Sequence, residues 1–510
     1  MRILVPGANC MGIYQAKETG VLVDASDYYR AFHQTASQAR QYILLAGWQF
    51  DSDVRLLRGV DNPQGAGEVR FIKFLEALCE KTPELEIYLL AWDFSSVFAL
   101  EREWFQDLIF NWAAHERIHF RFDSAHAAGA THHQKFVIID GKIAFVGGMD
   151  ICSSRWDDRF HQEANPDRVD VNGSPYGSYH DIQSYHTGPI VKELLDLFAE
   201  RWADSGGKGL IIPTADLPIS LDTTHAFPMP AAQVAVSRTR ARNPQTERGE
   251  IFEIRRLFID AIMSAEKVIY LENQYFSSQA IYWSLIARMA MAGRPRLQIV
   301  MMLPDRLPLT EEVFLGLPQV KMIRSLQEVA EKTGHVFSVY SSTALIDDGT
   351  RKMTFIHSKL LLVDDRFLTI GSANATNRSM GLDTELNVSW EADPASEPEL
   401  AAAIRELRCS LLAEHAGLLG TGEEDRFQQI EDLTTRLDSL ADDHRARLCR
   451  YTPDPALVNS DWPETLEPVA KIVDPDHPVD AEFFFEVLSK YETSAFARGI
   501  LKLSQMIIGI

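Results

Sequence analysis

Cysteine is scarce in this chain. Five of 510 residues are Cys (Cys10, Cys79, Cys152, Cys409 and Cys449), and their spacing makes neither a CxxC pair nor a zinc knuckle. Free thiols in a reducing compartment are therefore expected. Positive charge is also short: 50 Lys and Arg stand against 72 Asp and Glu, a formal charge of −22. Phosphate neutralisation supplies most nucleic-acid affinity. The balance thus disfavours nucleic acid as a partner, and also tight electrostatic docking on an anionic membrane. Long apolar runs are missing too. No window reaches the ~18 continuous apolar residues that a membrane span needs, and MRILVPGANCMGIYQAKETG has no apolar stretch of the kind a secretory signal carries. A cytoplasmic location follows as the expectation, with membrane contact at most peripheral. The closing FARGILKLSQMIIGI is apolar but short and carries Arg498 and Lys502; it reads as a tail packed on the core, or as a segment touching a membrane surface. No cluster of carboxylates suggests a two-metal site, so neither metal nor cofactor is expected.

What is present is an ordinary globular composition, 46% hydrophobic and 24% charged, in a chain long enough to bury a large core without disulfides. It also repeats itself. SQARQYILLAGWQF (Ser37 to Phe50) and MSAEKVIYLENQYF (Met263 to Phe276) each read as a helix end followed by a buried strand. LEIYLLAWD (Leu85 to Asp93) and LQIVMMLPD (Leu297 to Asp305) are buried-strand patterns, each preceded by a helix-like stretch. Such alternation implies an α/β sheet. The third pair matches residue for residue: HHQKFVIIDGKIAFVGGMD from His132 to Asp150, and IHSKLLLVDDRFLTIGSAN from Ile356 to Asn374. Matched blocks at nearly one offset imply a duplication. The expected boundaries are 1–205 for the first domain, 206–245 for a Gly-, Pro- and Asp-rich linker, 246–417 for the second domain and 418–510 for a C-terminal extension. Leu433, Leu437 and Leu440 keep helical spacing in that extension.

Each repeat carries His-x-Lys-x4-Asp: His133, Lys135 and Asp140, then His357, Lys359 and Asp364. The residues before each Asp have strand composition. His and Lys two apart on a strand share a face, so an imidazole and an ammonium stand side by side, twice. Small-residue turns follow, Gly147-Gly148-Met149-Asp150 and Gly371-Ser372-Ala373-Asn374, where backbone amides could approach an anion. The set suits a phosphodiester. Lysines hold its oxygens as point charges, one histidine attacks phosphorus, and the other protonates the leaving alkoxide and then activates the acceptor. Asp140 and Asp364 are candidate acids or bases, although a turn-capping role is the preferred reading. His132, beside the motif histidine, should face the other way and pack. YHDIQS and DTELNV align as strands, so Asp181 and Glu385 are expected to bind the second ring nitrogen of the histidines. The pairing expected is His133 with Asp181 and His357 with Glu385, each within its own half.

Both motif blocks resemble the signature of the phospholipase D superfamily. LAGWQFDSDVRLL, the block from HHQKF to RWDD, YHDIQSYHTGPIVKELLDLFAERW, YLENQYF and IGSANATNRSMGLDTELN are similar to its bacterial branch close to plant and animal enzymes. The resemblance implies an α/β fold of two homologous domains, each a mixed sheet flanked by helices, packed pseudo-two-fold around one site. It implies His133, Lys135, His357 and Lys359 as catalytic residues, with His133 the nucleophile. Gly148, Asp150, Ser372 and Asn374 fall on its small-residue and amide positions, and Glu272 and Asn273 near the site. The function expected is hydrolysis of glycerophospholipids to phosphatidic acid and free head group by a monomer. A cardiolipin synthase-like phosphatidyltransferase is the alternative, and a non-catalytic phospholipid-binding protein a further one. The first half carries about twenty extra residues between Asp150 and Asp181, including Arg155, Trp156 and Asp157; a loop of that size beside a site is expected to shape substrate choice.

Overall fold

Runs such as YILLAG and the VIYL of VIYLE are near-continuously apolar, as strands covered on both faces are. In a computed structural model of the chain both are central strands. The structure describes residues 2–62, 69–93, 114–213, 217–307, 315–345, 351–443, 446–453 and 473–478; the apolar C-terminal tail lies outside them. The first part of the chain forms β1 (Gly12–Gln15), β2 (Thr19–Val23), α1 (Asp24–Ala36), β3 (Tyr42–Gly47), α2 (Phe71–Lys81), β4 (Glu86–Trp92), β5 (Ile118–Asp123), β6 (Lys135–Ile139), β7 (Ile143–Gly147), β8 (Tyr179–His180), β9 (Ile182–Thr187), α3 (Ile190–Asp204) and β10 (Phe227–Pro228). Then come β11 (Gln233–Arg240), β12 (Ile251–Phe252), α4 (Glu253–Ser264), β13 (Val268–Glu272), α5 (Gln279–Ala290), β14 (Gln298–Met302), α6 (Leu317–Thr333), β15 (Val336–Leu345) and β16 (Arg351–Met353). The rest is β17 (Phe355–Ile356), β18 (Leu360–Val363), β19 (Phe367–Gly371), α7 (Asn377–Gly381), β20 (Glu385–Glu391), α8 (Pro398–Ala416), α9 (Leu433–Ala441) and β21 (Leu448–Arg450).

Two mixed sheets result. One runs β10-β2-β9-β7-β6-β3-β4-β5, the other β1-β11-β20-β19-β18-β13-β14-β15-β16. From β9 to β5 and from β20 to β15 the strand order is the same, and β3–β4 and β13–β14 are both parallel pairs. Alternation sorts each strand's side chains. Tyr42, Leu44 and Ala46 enter a core shared with the second sheet, α3 and α8, whereas Ile43 and Leu45 pack under α1 and α2. Ile269 and Leu271 of β13 pack likewise with α4, α5 and α6.

The chain crosses between the sheets where a simple two-domain division does not allow it. β1 pairs with β11 in the second sheet, and β11 lies within the expected 206–245 linker. QVAVSRTR buries Val234 to Ser237 while Gln233 stays exposed, so the strand is covered on both faces there, Val234 and Val236 in one core and Ala235 in another. It pairs with β20 across five residues. Residues 12–15 and 233–240 are thus parts of the second sheet. β10, in the same expected linker, joins the first.

Candidate active site

The two halves meet through short parallel ladders that deliver the motif histidines. β17 pairs with β8, Phe355 opposite Tyr179 and Ile356 opposite His180, and the His357 amide donates to the His180 carbonyl at 2.8 Å. In the mirror arrangement His132 bridges Thr384, and the His133 amide donates to the Thr384 carbonyl at 3.0 Å. Each histidine is therefore docked beside the residue that precedes the other half's carboxylate. The imidazoles follow. His133 Nδ1 lies 3.1 Å from both oxygens of Glu385, and His357 Nδ1 lies 2.6 Å from Asp181 Oδ2. The expected within-half pairing is corrected to a crossed one: the ladders that set the partners join the halves.

Lys135 opens β6 and Lys359 immediately precedes β18, and both are buried. Lys135 Nζ donates to the His133 carbonyl at 3.1 Å and lies 3.3 Å from Asp150 Oδ2. Lys359 Nζ donates to the His357 carbonyl and reaches Gln274 Oε1 at 3.4 Å. Burial, followed by the neighbouring Lys135, brings the Lys359 ammonium down to about 7 despite the Asp181 carboxylate. Burial pushes the Asp181 carboxyl up to about 7 against the pull of Lys359. Burial, then the charges of Lys359, Arg155 and Lys135, also lowers the proton affinity of His357.

The surroundings of the two carboxylates differ. Glu385 accepts from the hydroxyls of Ser372 and Ser379. Asp181 accepts from the Ile182 amide at 2.8 Å and lies so close to Gly148 that a Cβ there would sit 2.3 Å from Oδ1. Glycine is needed at 148 because a buried carboxylate occupies the space a side chain would take. Asp150 accepts from the Trp48 amide at 2.9 Å. Its counterpart Asn374 has a buried Oδ1 without a hydrogen-bond partner.

Of the two readings of Asp140 and Asp364, acid–base group or turn cap, the geometry fits the preferred cap. Asp140 and Asp364 lie at the far end of their strands, at φ of 50° and 55°. Asp140 accepts the amides of Arg40, Gln41 and Tyr42; Asp364 accepts those of Glu266, Lys267 and Val268. They tie the start of the neighbouring strand to the turn and are not acids or bases of the site. The turn amides do not await an anion either. Gly148 and Ser372 donate to the carbonyls of Ile182 and Leu386, and Asn374 to Ser379 Oγ, which leaves the lysines to supply positive charge. Asn273 accepts from the Ala375 amide at 2.9 Å and so holds the second turn. Glu272 faces the interior. It takes His180 Nε2 at 3.0 Å, His415 Nε2 at 3.1 Å, Ser358 Oγ at 2.6 Å and the Tyr270 hydroxyl. Burial would raise its carboxyl, but His180 and His415 outweigh it and hold it well below the usual range. His132 is packed, 2.8 Å from Thr384 Oγ1 and 3.1 Å from Asp123. Burial brings it down to about 4.

Behind His180 lies a charged network that the sequence reading did not anticipate. Ligand atoms of Asp24, His161, His180 and Glu414 all lie within 4.8 Å of one another, as do those of His180, Glu272 and His415. His180 Nδ1 is 3.0 Å from Asp24 and 2.8 Å from Glu414, yet neither Nδ1 nor Asp24 Oδ2 makes a hydrogen bond of proper geometry. Convergent nitrogen and carboxylate atoms of this kind fit a divalent cation. Unmetallated, the same atoms pair as imidazolium and carboxylate: against the cost of burial, Asp24 and Asp157 hold His161 up to about 9. The sequence signal was present. YHDIQ places His180 beside Asp181, and Glu414-His415 interrupt an otherwise apolar stretch of α8. The first-half insertion supplies Asp157, His161 and Arg168 to this network, and Arg159 binds Glu414 at 2.6 Å. That loop is thus anchored to the second half.

A sequence model described as "Phospholipase D" matches residues 35–297, and one described as "Cardiolipin synthase, PLD-like domain" matches residues 258–407. This chain belongs to the phospholipase D family. Its relatives include phospholipase D alpha 1 of Brassica oleracea var. capitata, 24% identical over 75% of this chain and 63% of the relative. The Zea mays protein of the same name is 23% identical over 78% and 64%. The chain spans less than two thirds of the length of these plant phospholipases. The crystal structure of the phosphatidylserine synthase of Haemophilus influenzae Rd KW20 superposes with a TM-score of 0.51 at 14% identity, covering 84% of this chain and 94% of that one. It shows the phospholipase D fold. Among the described residues no helix is long and apolar enough to cross a membrane.

Proposed function

We propose that this chain is a phospholipase D-type phosphodiesterase that hydrolyses glycerophospholipids to phosphatidic acid and free head group through a phosphohistidine. One observation carries the reading: two His–Lys pairs from opposite halves, each histidine bound at Nδ1 by a carboxylate of the other half, in a single site. One imidazole Nε2 attacks phosphorus. The P–O bond to the head group breaks, and the alkoxide takes a proton from the other imidazolium. That second imidazole then removes a proton from water. The hydroxide attacks phosphorus, the P–N bond breaks and phosphatidate leaves. Lys135 and Lys359 balance the phosphoryl charge throughout. The carboxylates fix the ring tautomers so that Nε2 faces the substrate.

The description of the model matching 258–407 favours a second reading, a phosphatidyltransferase. It uses the same intermediate and replaces water by an alcohol. We also infer that the halves arose by duplication, which the shared strand order supports. The chain acts as a monomer, because both histidines come from one polypeptide, and it meets lipid at a membrane surface. Incubation with mixed phospholipids and ethanol, with products read by mass, tests the reading. Phosphatidic acid and phosphatidylethanol are expected. Cardiolipin without phosphatidic acid would move the assignment to the transferase, and no lipid product would overturn both.

A further inference from the structure

Arg155 stands beside this site without an acidic partner. Among the described residues no carboxylate lies within ion-pair distance of it. Its guanidinium instead stacks 4.8 Å from the centre of the Tyr179 ring and meets the Cys152 thiol. Neither partner is an oxyanion, and an Arg fork with five donors is left largely unused. Tyr179 is itself 5% exposed, and its buried hydroxyl has no hydrogen-bond partner. A buried hydroxyl left unmade costs free energy unless something completes it. The Tyr179 ring lies 5.4 Å from that of His357, so both unused groups flank a catalytic histidine. The Arg155 charge is felt at both His357 and Lys359.

The internal repeat shows what Arg155 is not for. At the 224-residue spacing that separates His133 from His357, Arg155 corresponds to Ser379. Ser379 donates to Glu385 at 2.6 Å and so supports the carboxylate that orients His133. Arg155 makes no such bond to Asp181, whose oxygens go to His357 and Ile182. In the second half this position serves the carboxylate; in the first it carries a cation with free donors. Lys135 and Lys359 already stand beside the motif histidines where the scissile phosphate sits, so a further cation one ring away suits a second anion on the same substrate.

Building on the phospholipid reading, we propose that Arg155 and the Tyr179 hydroxyl form an oxyanion subsite beside the scissile phosphate, which takes a carboxylate or second phosphate carried by the substrate next to the diester. The enzyme then prefers acidic head groups over zwitterionic ones.

The test uses the full chain and product-like inhibitors of bis(4-nitrophenyl) phosphate turnover. O-phospho-L-serine, glycerol 1,3-bisphosphate and phosphoethanolamine are compared; the first and third differ by one carboxylate. In the wild type the inhibition constant should be about tenfold lower for at least one acidic compound than for phosphoethanolamine, the value of one charge-assisted hydrogen bond. The larger ratio names carboxylate or phosphate as the anion. Arg155→Gln should bring the ratios to about one and Tyr179→Phe should reduce them severalfold. Arg155→Lys, which keeps charge but not the fork, should reduce them partly and covers a Gln variant that fails to fold. Equal inhibition by all three compounds in the wild type, or ratios that persist in the Arg155 variants, overturns the subsite. Vesicles of phosphatidylserine and of phosphatidylethanolamine separate the two claims. If neither lipid is cleaved while the inhibitor ratios hold, the subsite stands and the phospholipid reading falls; if lipids are cleaved without any ratio, the reverse is true.

Discussion

The crossed carboxylates predict a specific exchange of effects between Glu385→Gln and Asp181→Asn. Glu385 offers two oxygens, each 3.1 Å from His133 Nδ1, and they also receive the hydroxyls of Ser372 and Ser379. A glutamine has one acceptor oxygen and a donor group, so a serine hydroxyl facing its NH2 keeps a bond only by turning to accept. The charge that favours an imidazolium is lost as well. A hydrogen bond to a charged group is worth about 1.5–3 kcal/mol, and loss of a tautomer-fixing carboxylate in triad-type sites costs up to roughly 10⁴ in rate. Turnover of bis(4-nitrophenyl) phosphate should therefore fall about 10²- to 10⁴-fold in Glu385→Gln. Asp181→Asn should behave alike, since Asp181 Oδ2 lies 2.6 Å from His357 Nδ1. The imidazole nitrogen shifts carry the discriminating result. Assigned with His133→Gln and His357→Gln, the Glu385→Gln spectrum should move the His133 signals and spare His357, and Asp181→Asn should do the converse. Wild-type turnover in either variant, or movement of His133 signals on changing Asp181, would refute the crossed geometry.

Lys135→Arg and Lys359→Arg should fold normally and lose about 10²-fold or more in turnover, because a planar fork does not fit where a compact buried ammonium reaches a backbone carbonyl; near-normal rates would argue against phosphate contact. Asp140→Ala should leave three amides without their carboxylate, cost about 2–4 kcal/mol and lower Tm by several degrees, with turnover of the remaining folded protein unchanged. His161 is raised from 6.5 to about 9 in the folded state, so its stabilisation of about 3 kcal/mol is fully present below pH 6.5 and is lost as pH rises through 9. Thermal melts should show that alkaline decline in the wild type and a flatter one in His161→Gln.

The site was legible where chemistry repeats along the chain and illegible where it depends on which segments meet. Two copies of His-x-Lys at one spacing locate the four His and Lys side chains of the candidate site, and the matched YHDIQ and DTELN locate the carboxylates. Which carboxylate serves which histidine is decided by ladders of one or two residues, β8 with β17 and His132 with Thr384, too short to leave a periodic signal. Asp140 and Asp364 look catalytic because they sit at fixed distance from the lysine. Their positive φ and their three amide partners arise 96 to 100 residues away in sequence, which no local pattern records. Glu272 is recognisable as near the site but not as interior, because its imidazole partners lie 92 and 143 residues away. β11 is missed for another reason: its buried stretch, Val234 to Ser237, is short and sits in a Pro- and Gly-rich surrounding that reads as linker.

The same crossing places two similar histidines in unequal surroundings, and this predicts which one attacks. Attack on phosphorus leaves positive charge on the phosphorylated ring, so the nucleophile needs a carboxylate that stays anionic. Glu385 accepts hydrogen bonds from two serine hydroxyls, a setting that suits a carboxylate facing a cation, and its partner is His133. The acid–base histidine needs a proton that it can give up and recover near neutral pH. Burial pushes Asp181 up to about 7 and depresses the proton affinity of His357. At 2.6 Å the pair shares a proton that leaves near neutrality, as a unit rather than from either residue alone. Gly148 at the position of Ser372 keeps a hydroxyl away from Asp181 and preserves this difference. His133 should therefore carry the phosphoryl group, and the His357–Asp181 pair should move the proton. With bis(4-nitrophenyl) phosphate, whose leaving group needs little protonation, His357→Ala should give a stoichiometric burst and then stall, because no base activates water. Acid-quenched peptides should bear the phosphoryl group on His133. His133→Ala should give no burst. A burst in His133→Ala with the label on His357 would reverse the assignment.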